Sequence, residues 1–369
     1  MKIAYIIPSL EQGGPTNVLH DLVEVMTKHG HTCVVYYFDK KGKEQVFSCS
    51  TVHIKLLDSI DYSHYDIIHT HGLRPDIYNF IHKPLFKRAL SVSTIHNFVF
   101  QNLIIDYGYL KGIVGSLIWL LARMRSDKLI VLNSTAFSYY RLWFGSGKLR
   151  IVYNTRVLTT SGSIPINDSN KFAELRKEYR YICCSICKIT NVKGIDQIIK
   201  AISKIDENIC YVIIGDGSGR RELEELVLSL NITDRVLFWG YRDNGYLYLP
   251  YIDVFCMPSH SEGFPLAMLE AAAYGKAIIA SDIPVFKEIF NNDEIMICKE
   301  NDINSYVEGI NKLIPELKEY GKKAKKKFER YYSPEAFYQA HINLYNELIK
   351  ELLFRIEFLL LFTVYSFLT

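Results

Sequence analysis

The sequence predicts an α/β protein made of two doubly wound domains. Short apolar runs rich in Ile, Val and Tyr alternate with amphipathic segments of helical length, which is the pattern of a parallel sheet covered on both faces. A polar stretch over residues 158–170 interrupts this pattern, which then begins again. The length of 369 residues fits two domains, because a typical domain has roughly 150 residues. Hydrophobic residues make up 49% of the chain and charged residues 22%, so the composition excludes disordered and fibrous classes.

The first domain is predicted over residues 1–157. The apolar run that opens the chain is short and is followed at once by Glu11, Gln12 and a glycine pair, so it predicts a strand and not an export signal. The eight cysteines are therefore expected to be reduced thiols in a cytoplasmic protein. Helices are expected between most of the strands. The strands are expected at Ile3–Ile7, Cys33–Phe38, Val52–Leu57, Asp66–His69, Ser91–Ile95, Leu129–Leu132 and Ile151–Tyr153.

A linker is predicted over 158–170 and the second domain over 171–332. A helix over 333–351, with apolar residues at helical spacing, is expected to close the fold. The apolar tail over 352–369 contains an uncharged run of only 12 residues, whereas a helix needs about 20 to span a bilayer. A docked helix and a membrane-surface segment both fit this tail. The strands of the second domain are expected at Tyr181–Ile186, Cys210–Ile214, Val236–Phe238, Val254–Met257, Ala277–Ala280 and Ile295–Cys298.

The net charge of +3 is distributed unevenly along the chain. Residues 1–155 contain 17 Lys and Arg against 11 Asp and Glu, a balance of +6, which leaves −3 for the remainder. A mildly basic first domain suits phosphorylated small molecules or an anionic membrane surface. It lacks the dense basic stripe of a nucleic-acid-binding protein, so no nucleic-acid partner is expected.

The run from Pro258 to Gly275 carries the most information about chemistry. It predicts a strand, a loop and then a helix, with Pro265 at the first helical position and Gly275 as the C-terminal cap. Amides at such a helix start form a site for phosphate. Glu262 in the loop and Glu270 in the helix would then accept hydrogen bonds from hydroxyl groups of a sugar or ribose.

A second group of candidate residues follows the first strand of the second domain. Lys188 and Lys193 leave that strand end together and could offset the charge of a departing diphosphate. The nearby C-x-x-C spacing of Cys184 and Cys187 has no matching His or second Cys pair, which favours buried thiols over a metal site. Arg220 stands where a dinucleotide-binding glycine would be needed, and no P-loop motif is present, so dehydrogenases and P-loop phosphotransferases are disfavoured.

Three segments of the first domain are further candidates for ligand contacts. Gly13-Gly14-Pro15 follows the first strand and opens a helix, either as a backbone binding loop or as a plain turn. His69 and His71 lie near one strand end, and His96-Asn97 lies at another. Strand ends of this kind are where α/β sheets bind their ligands.

Taken together, these residues resemble the retaining nucleotide-sugar glycosyltransferases of the GT-B fold, specifically glycosyltransferase family four. The resemblance extends from Gly13-Gly14 to the closing helix, and its most specific part is the pair Glu262 and Glu270, separated by seven residues. It implies two Rossmann-like domains facing a cleft, with the C-terminal helix returning toward the first domain. It also implies that no metal and no cofactor are needed, since no D-x-D pair is present.

The resemblance assigns a role to each candidate. Glu262 would bind the donor sugar and Glu270 the ribose, while His96 would reach the donor sugar from the first domain. The diphosphate would be bound by Lys193 and by Lys188, which replaces the usual arginine and lacks its planar fork. Other departures from the family pattern are Cys187 in place of a glycine and Thr155 after Asn154. The remaining donor-site positions are Gly13, Gly14, Gly263, Phe264, Pro265, Leu266, Gly240 and Tyr241.

The activity implied is transfer of a sugar from a nucleotide diphosphate sugar to an acceptor hydroxyl with retention at the anomeric carbon. The basic first domain and the apolar tail favour a lipid-linked acceptor at the inner membrane face, as in bacterial surface-polysaccharide assembly. Three alternatives remain: a silent nucleotide-sugar-binding subunit, a GT-B sugar-nucleotide 2-epimerase and a Rossmann oxidoreductase. The sequence does not specify the donor sugar, the base, the acceptor or the linkage.

Overall fold

The computed structural model describes residues 1–40, 42–84, 89–96, 108–158 and 162–368, with side chains described as far as Phe358. The chain divides into two compact units, each with its own parallel sheet. Unit 1 consists of Met1–Thr155 together with Pro334–Thr369, and unit 2 consists of Arg156–Ser333. The predicted position Asn97 lies outside the described residues.

Unit 1 is built on a seven-stranded parallel sheet with the order β3-β2-β1-β4-β5-β6-β7. The order changes direction beside β1, where Ile3 pairs with Cys33 on one side and with Ile67 on the other. The central strands are buried along most of their length because helices cover both faces. The strands are β1 Lys2–Ser9, β2 Thr32–Asp39, β3 Ser50–His53, β4 Ile67–His71, β5 Leu90–Ile95, β6 Lys128–Val131 and β7 Leu149–Ile151.

The last helix of unit 1 comes from the C-terminal part of the chain. One continuous helix, α12 (Pro334–Leu368), replaces the predicted closing helix over 333–351 and the separate tail over 352–369, because no Gly or Pro follows Pro334 to interrupt it. Its Tyr345 and Leu348 are buried in unit 1. The helices described in unit 1 are α1 Gly14–Lys28, α2 Leu73–His82, α3 Tyr109–Met124, α4 Ser134–Phe144 and α12 Pro334–Leu368.

Unit 2 is built on a six-stranded parallel sheet with the order β10-β9-β8-β11-β12-β13. The strands are β8 Tyr181–Ile186, β9 Ile209–Ile214, β10 Val236–Gly240, β11 Val254–Met257, β12 Ala277–Ser281 and β13 Met296–Cys298. The helices are α5 Ile166–Glu178, α6 Ile195–Ile202, α7 Arg220–Ser229, α8 Leu266–Ala273, α9 Pro284–Ile289, α10 Ile303–Leu313 and α11 Leu317–Lys327. Short 3₁₀ segments lie at Tyr62–His64, Ser146–Lys148, Asn191–Lys193, Gly245–Tyr251 and Ile314–Glu316, and a π-helical segment lies at Phe328–Tyr332.

The predicted linker is only partly a linker. Helix α5 begins within it, at Ile166, and packs in unit 2 through the buried side chains of Asp168 and Phe172. The Asp168 carboxylate accepts hydrogen bonds from Arg242 and from the Tyr248 hydroxyl at 2.7 Å each. Residues 166–170 of the predicted linker therefore belong to a helix that carries one buried carboxylate.

The two doubly wound sheets confirm the predicted α/β fold class. Two edge strands differ in position from the prediction. β3 covers Ser50–His53 and not Val52–Leu57, and all four of its residues are exposed, so its one apolar side chain, Val52, gives no burial signal. β7 ends at Ile151, where the predicted strand begins. Among the described residues, none of the helices has both the length and the apolar character needed to cross a bilayer.

Candidate functional site

The loops that follow β8 and β9 lie against each other at the carboxyl edge of the unit 2 sheet. The Ile189 amide donates to the Asp216 carbonyl at 3.0 Å, and the Gly219 amide donates to the Ile189 carbonyl at 3.2 Å. A Cβ added at Gly217 would lie 2.1 Å from the Ile189 carbonyl oxygen, closer than any side chain tolerates. The glycine-rich run after β9 therefore serves close loop packing, which is a reason for its composition that the sequence did not reveal.

The loop that follows β11 also lies at this edge, where its Pro258 carbonyl contacts Gly194 and Gln197. Gly194 has a φ of +59°, and an added Cβ would lie 2.2 Å from the Pro258 carbonyl oxygen. The buried Gln197 donates to that same oxygen at 2.8 Å and accepts from the Asn301 amide at 2.7 Å. Sequence reasoning missed Gln197, although a polar residue within the apolar face of α6 was an available signal.

Lys193 and Glu262 form an ion pair at this edge. The Lys193 Nζ lies 2.6 Å from Glu262 Oε1, and the Ser259 hydroxyl donates to the same oxygen at 2.8 Å. The lysine side chain is 24% exposed and the glutamate 10%, so solvent screens the pair only in part. The structure thus brings together two residues that the sequence proposed for different parts of one ligand.

The Cys187 thiol lies close to this ion pair. Burial raises its pKa to about 11, with Lys193 lowering the pKa and Glu262 raising it. The thiol is therefore protonated at neutral pH and acts as a packing group, not as a nucleophile. Cys183 and Cys184 are buried in β8.

Glu270 is held by a residue that the sequence analysis did not select. The Arg156 Nε donates to Glu270 Oε1 at 2.7 Å, and the two side chains are 10% and 14% exposed. Arg156 stands directly after Thr155, in the segment where the chain departs from the family pattern. The carboxylate predicted to bind ribose is therefore already paired with a guanidinium.

The helix that carries Glu270 begins one residue later than predicted. Pro265 precedes α8, and its carbonyl accepts from the amide of Met268 at 3.1 Å. The Leu266 amide donates to the Phe264 carbonyl at 3.1 Å, so the helix start is not the open row of amides that the sequence suggested. The C-terminal prediction is confirmed, since Gly275 has a φ of +65° and caps the helix in a Schellman motif.

The remaining donor-site candidates of unit 2 lie at two positions. Lys188 lies two residues beyond the end of β8 and is exposed, and within the described residues it has no hydrogen bond or ion pair. Gly240 ends β10 with a φ of +73°, and its carbonyl accepts from the Gly215 amide at 2.9 Å. Tyr241 is 64% exposed, and its hydroxyl donates to Asp243 at 3.1 Å. Gly240 and Tyr241 thus border the loop that follows β9.

Unit 1 carries a cluster of four histidines at the carboxyl edge of its own sheet, and we call this group the histidine cluster. His69 and His71 lie on β4, His96 follows β5, and His341 lies on α12. The His71 Nδ1 lies 3.0 Å from the His96 Nε2. The two ring nitrogens of His69 lie 2.7 Å from the Tyr345 hydroxyl and 2.7 Å from the Thr94 hydroxyl.

The histidine cluster is uncharged at neutral pH. Burial, reinforced by the Arg123 guanidinium, lowers the pKa of His96 to about 4. Burial lowers the pKa of His341 to about 4 as well. The pKa values of His69 and His71 lie well below their usual range because both rings are buried and face other histidines.

Gly13 and Gly14 lie at the start of α1 in unit 1. The Gly13 carbonyl accepts from the Asn17 amide at 2.8 Å, and Pro15 occupies the first turn. An added Cβ at either glycine would meet no atom within 4 Å, so packing inside unit 1 does not require the pair. Among the residues that the structure describes, no group of three or more His, Cys, Asp or Glu is arranged to hold a metal ion.

Comparison with known families and proteins adds to this geometry. Residues 167–329 match the family described as glycosyl transferases group 1. The O-antigen biosynthesis glycosyltransferase WclY of Escherichia coli is 34% identical over 305 residues, which cover 79% of this chain and 83% of that protein. A Campylobacter jejuni N-acetylgalactosamine-N,N'-diacetylbacillosaminyl-diphospho-undecaprenol 4-alpha-N-acetylgalactosaminyltransferase is 27% identical over 48% of each chain.

Solved structures show the same fold. The Anabaena protein HepE in complex with UDP superposes with a TM-score of 0.77 at 15% identity, covering 94% of this chain and all of that one. The same protein has also been solved with UDP-glucose. The likeness confirms the predicted GT-B fold.

Proposed function

Because this chain belongs to the glycosyl transferases group 1 family and is a glycosyltransferase, we propose that it transfers a sugar from a nucleotide diphosphate sugar to an acceptor hydroxyl with retention at the anomeric carbon. The observation that supports this most is the Lys193–Glu262 ion pair at the carboxyl edge of the unit 2 sheet. It sets a cation beside a carboxylate, which suits a ligand that carries both phosphates and hydroxyls. The UDP and UDP-glucose complexes of HepE support a nucleotide sugar as the donor.

Each donor-site residue of unit 2 has a proposed role. Lys193 and the exposed Lys188 offset the charge that develops on the departing diphosphate. Glu262 accepts hydrogen bonds from the donor sugar and Glu270 from the ribose. The backbone of Gly263, Phe264, Pro265 and Leu266 contacts sugar and phosphate, while Gly240 and Tyr241 border the nucleobase. From unit 1, His96 contacts the donor sugar, and Gly13 and Gly14 lie near the phosphates.

The proposed reaction needs no enzyme nucleophile. The bond between the anomeric carbon and the diphosphate oxygen breaks as the acceptor oxygen bonds to the same carbon from the same face. The proton of the acceptor hydroxyl passes to an oxygen of the departing diphosphate. Lys193 supplies the positive charge for which many other enzymes use a metal, and neither metal nor cofactor is part of the proposal.

We place the reaction in the assembly of bacterial surface polysaccharide, on a lipid-linked acceptor. The E. coli relative is named for O-antigen biosynthesis, and the name of the C. jejuni relative includes a diphospho-undecaprenol acceptor. A lipid-linked acceptor places the enzyme in the cytoplasm, at the inner face of the plasma membrane.

Helix α3 of unit 1 supports a membrane-surface location. Its buried face, which includes Trp119 and Arg123, packs within unit 1. Its opposite face is apolar, although it is exposed and carries Lys111. An exposed apolar face of this length fits an interface with lipid. The exposed apolar side chains are Tyr109, Leu110, Ile113, Val114, Leu117, Ile118, Leu121 and Met124.

Flotation with anionic vesicles tests this location. We expect the parent protein to float and a Leu117→Glu, Leu121→Glu double variant to remain in the soluble fraction. Leu228→Glu is the matched control, because Leu228 is an exposed leucine of unit 2, 62% accessible. A parent protein that does not float, or a double variant that floats like the parent, would contradict the membrane proposal.

The donor is identified by incubating the purified protein with a panel of nucleotide sugars in the presence of a chelator, and measuring release of nucleoside diphosphate. Release from one donor, with the anomeric configuration kept in the product, is the expected result. Release that stops with the chelator would overturn metal independence. Tight nucleotide binding without release would favour the silent subunit, and an epimerised nucleotide sugar would favour the 2-epimerase.

A further inference from the structure

His71 is buried next to His96, the first-domain histidine that we propose contacts the donor sugar. It is 1% exposed, and its Nδ1 lies 3.0 Å from the His96 Nε2. Their rings are stacked, with centroids 5.3 Å apart and planes inclined by 29°. Because both imidazoles are neutral at physiological pH, exactly one of these two nitrogens carries the shared proton.

The second ring nitrogen of His71, Nε2, indicates which of the two histidines carries the shared proton. The His71 Nε2 is buried and has no hydrogen-bond partner among the described residues. If the shared proton belonged to His96, then His71 would carry its own proton on Nε2, as a buried donor without an acceptor. If the proton belongs to His71 Nδ1, then Nε2 is only an unused acceptor. Orphaned buried donors are rarer in proteins than unsatisfied acceptors, so the second arrangement is favoured.

We propose that His71 is a positioning residue that donates its Nδ1–H to the His96 Nε2 and thereby fixes His96 in the tautomer protonated on Nδ1. The tautomer of an imidazole is set by the hydrogen bond that its other nitrogen makes. His96 then presents an N–H donor on the nitrogen that faces away from His71. This last step rests on the proposed function: the His96 N–H is directed to a hydroxyl oxygen of the sugar in the nucleotide sugar.

The rest of the histidine cluster holds His71 in place. The His69 ring lies 4.4 Å from the His71 ring, centroid to centroid. His69 is itself fixed at both nitrogens, by Tyr345 of α12 and by Thr94 of β5. His71 therefore has a defined ring orientation, which a group must have if it is to fix the tautomer of its neighbour.

Nitrogen NMR of the full chain labelled at histidine tests the tautomer without any substrate. Ring nitrogens with and without a proton differ in chemical shift, and a His96→Asn variant assigns the His96 signals. We expect His96 to be protonated on Nδ1 and unprotonated on Nε2 in the parent protein. The opposite tautomer would overturn the proposal, whether or not the enzyme transfers sugar.

Kinetics test the role in the reaction. We expect His71→Leu to lower kcat/KM for the donor about tenfold, the loss that corresponds to one net hydrogen bond. His71→Asn, which returns an amide near the Nδ1 position, should recover most of that loss. His64→Asn is the matched control, because His64 is an exposed histidine of unit 1 outside the histidine cluster, and it should leave kcat/KM at the parental value.

A double-variant cycle separates positioning from a general structural role. In a His96→Ala background, His71→Leu should cause no further loss of kcat/KM, because His71 then has no ring to orient. A second loss of similar size in that background would overturn the proposal. Absence of any transfer by the parent protein would instead contradict the proposed function, while the NMR result would stand on its own.

Discussion

The carboxyl edges of the two sheets are built on the same topological pattern, but one holds charged side chains and the other holds neutral rings. In unit 2 the edge holds full charges in pairs, Lys193 with Glu262 and Arg156 with Glu270. In unit 1 the edge holds the histidine cluster, whose neutral rings are hydrogen-bonded to hydroxyl groups, to a backbone carbonyl or to each other. A doubly wound sheet therefore fixes where ligands are expected, while the residues in its loops decide which chemistry is available there.

The difference has a consequence for binding. A ligand at the unit 2 edge must compete with the existing ion pairs, so its own phosphates and hydroxyls have to replace the partner that each side chain loses. A ligand at the unit 1 edge meets donors and acceptors that need no change of charge. We therefore expect substitutions in unit 2 to act through charge and those in unit 1 through orientation and stability.

The largest expected effect is the loss of Lys193. We expect Lys193→Ala to lower the rate of sugar transfer roughly 100- to 1,000-fold, because the departing diphosphate would lose a cation that the proposed function assigns to it. Glu262→Ala should cause a loss of similar order. Lys200→Ala is the control, since Lys200 lies on the adjacent helix α6 and pairs with Asp196 in a more exposed position. Folded variants of Lys193 and Glu262 that transfer sugar at the parental rate would contradict the proposed site.

The stability of unit 1 should fall as the pH is lowered from 6.5 toward 4. The histidines of the cluster have lowered pKa values in the folded state, so acid protonates the unfolded chain first and stabilises it. His341, with a folded pKa of about 4, should by itself cost about 1.5 kcal/mol between pH 6.5 and pH 5.

Urea unfolding followed by tryptophan fluorescence measures this loss. A Trp239→Phe variant leaves Trp119 and Trp143, both in unit 1, as the reporters. His341→Asn, which removes one of the titrating groups, should show a shallower dependence on pH. A midpoint that stays constant from pH 6.5 to pH 5 would contradict the assignment of a neutral cluster.

The sequence predicted the fold well because parallel strands of α/β domains carry a continuous apolar signal. Most central strands lie within a residue or two of their predicted bounds, whereas the fully exposed β3 gave no such signal. Glu262 and Lys193 were also recognisable, since a strand-loop-helix pattern puts them at the same sheet edge. Arg156 was not, because its partner Glu270 is 114 residues away in the chain and no local pattern links the two.

An intermediate effect is expected from Glu270. We expect Glu270→Gln to raise the KM for the donor about tenfold, because a charged acceptor for the ribose hydroxyls becomes neutral. The same variant should bind a deoxyribose analogue of the donor nucleotide as the parent does. Glu225→Gln, at an exposed helical carboxylate of unit 2, serves as the control. An equal loss for the ribose and deoxyribose forms would place Glu270 outside the ribose contact.

The smallest expected effect comes from restoring the arginine of the family pattern. Lys188 is exposed, and we expect Lys188→Arg to tighten nucleoside diphosphate binding by about two- to fivefold, because a planar guanidinium can bond two phosphate oxygens at once. Calorimetric titration measures the Kd, with Lys204→Arg as the control at another exposed lysine of unit 2. Weaker binding by Lys188→Arg would contradict this expectation and would indicate that the diphosphate needs the compact ammonium charge of a lysine at this position.

Helix α12 has a consequence for the order in which the molecule is made on the ribosome. Unit 1 begins the chain, yet its Tyr345, His341 and Glu347 are translated only after all of unit 2 has been synthesised. Until then His69 lacks the Tyr345 hydroxyl, and Lys128 lacks the Glu347 carboxylate. The N-terminal unit is therefore completed last, and unit 2, which is continuous in the chain, is the one that can mature first.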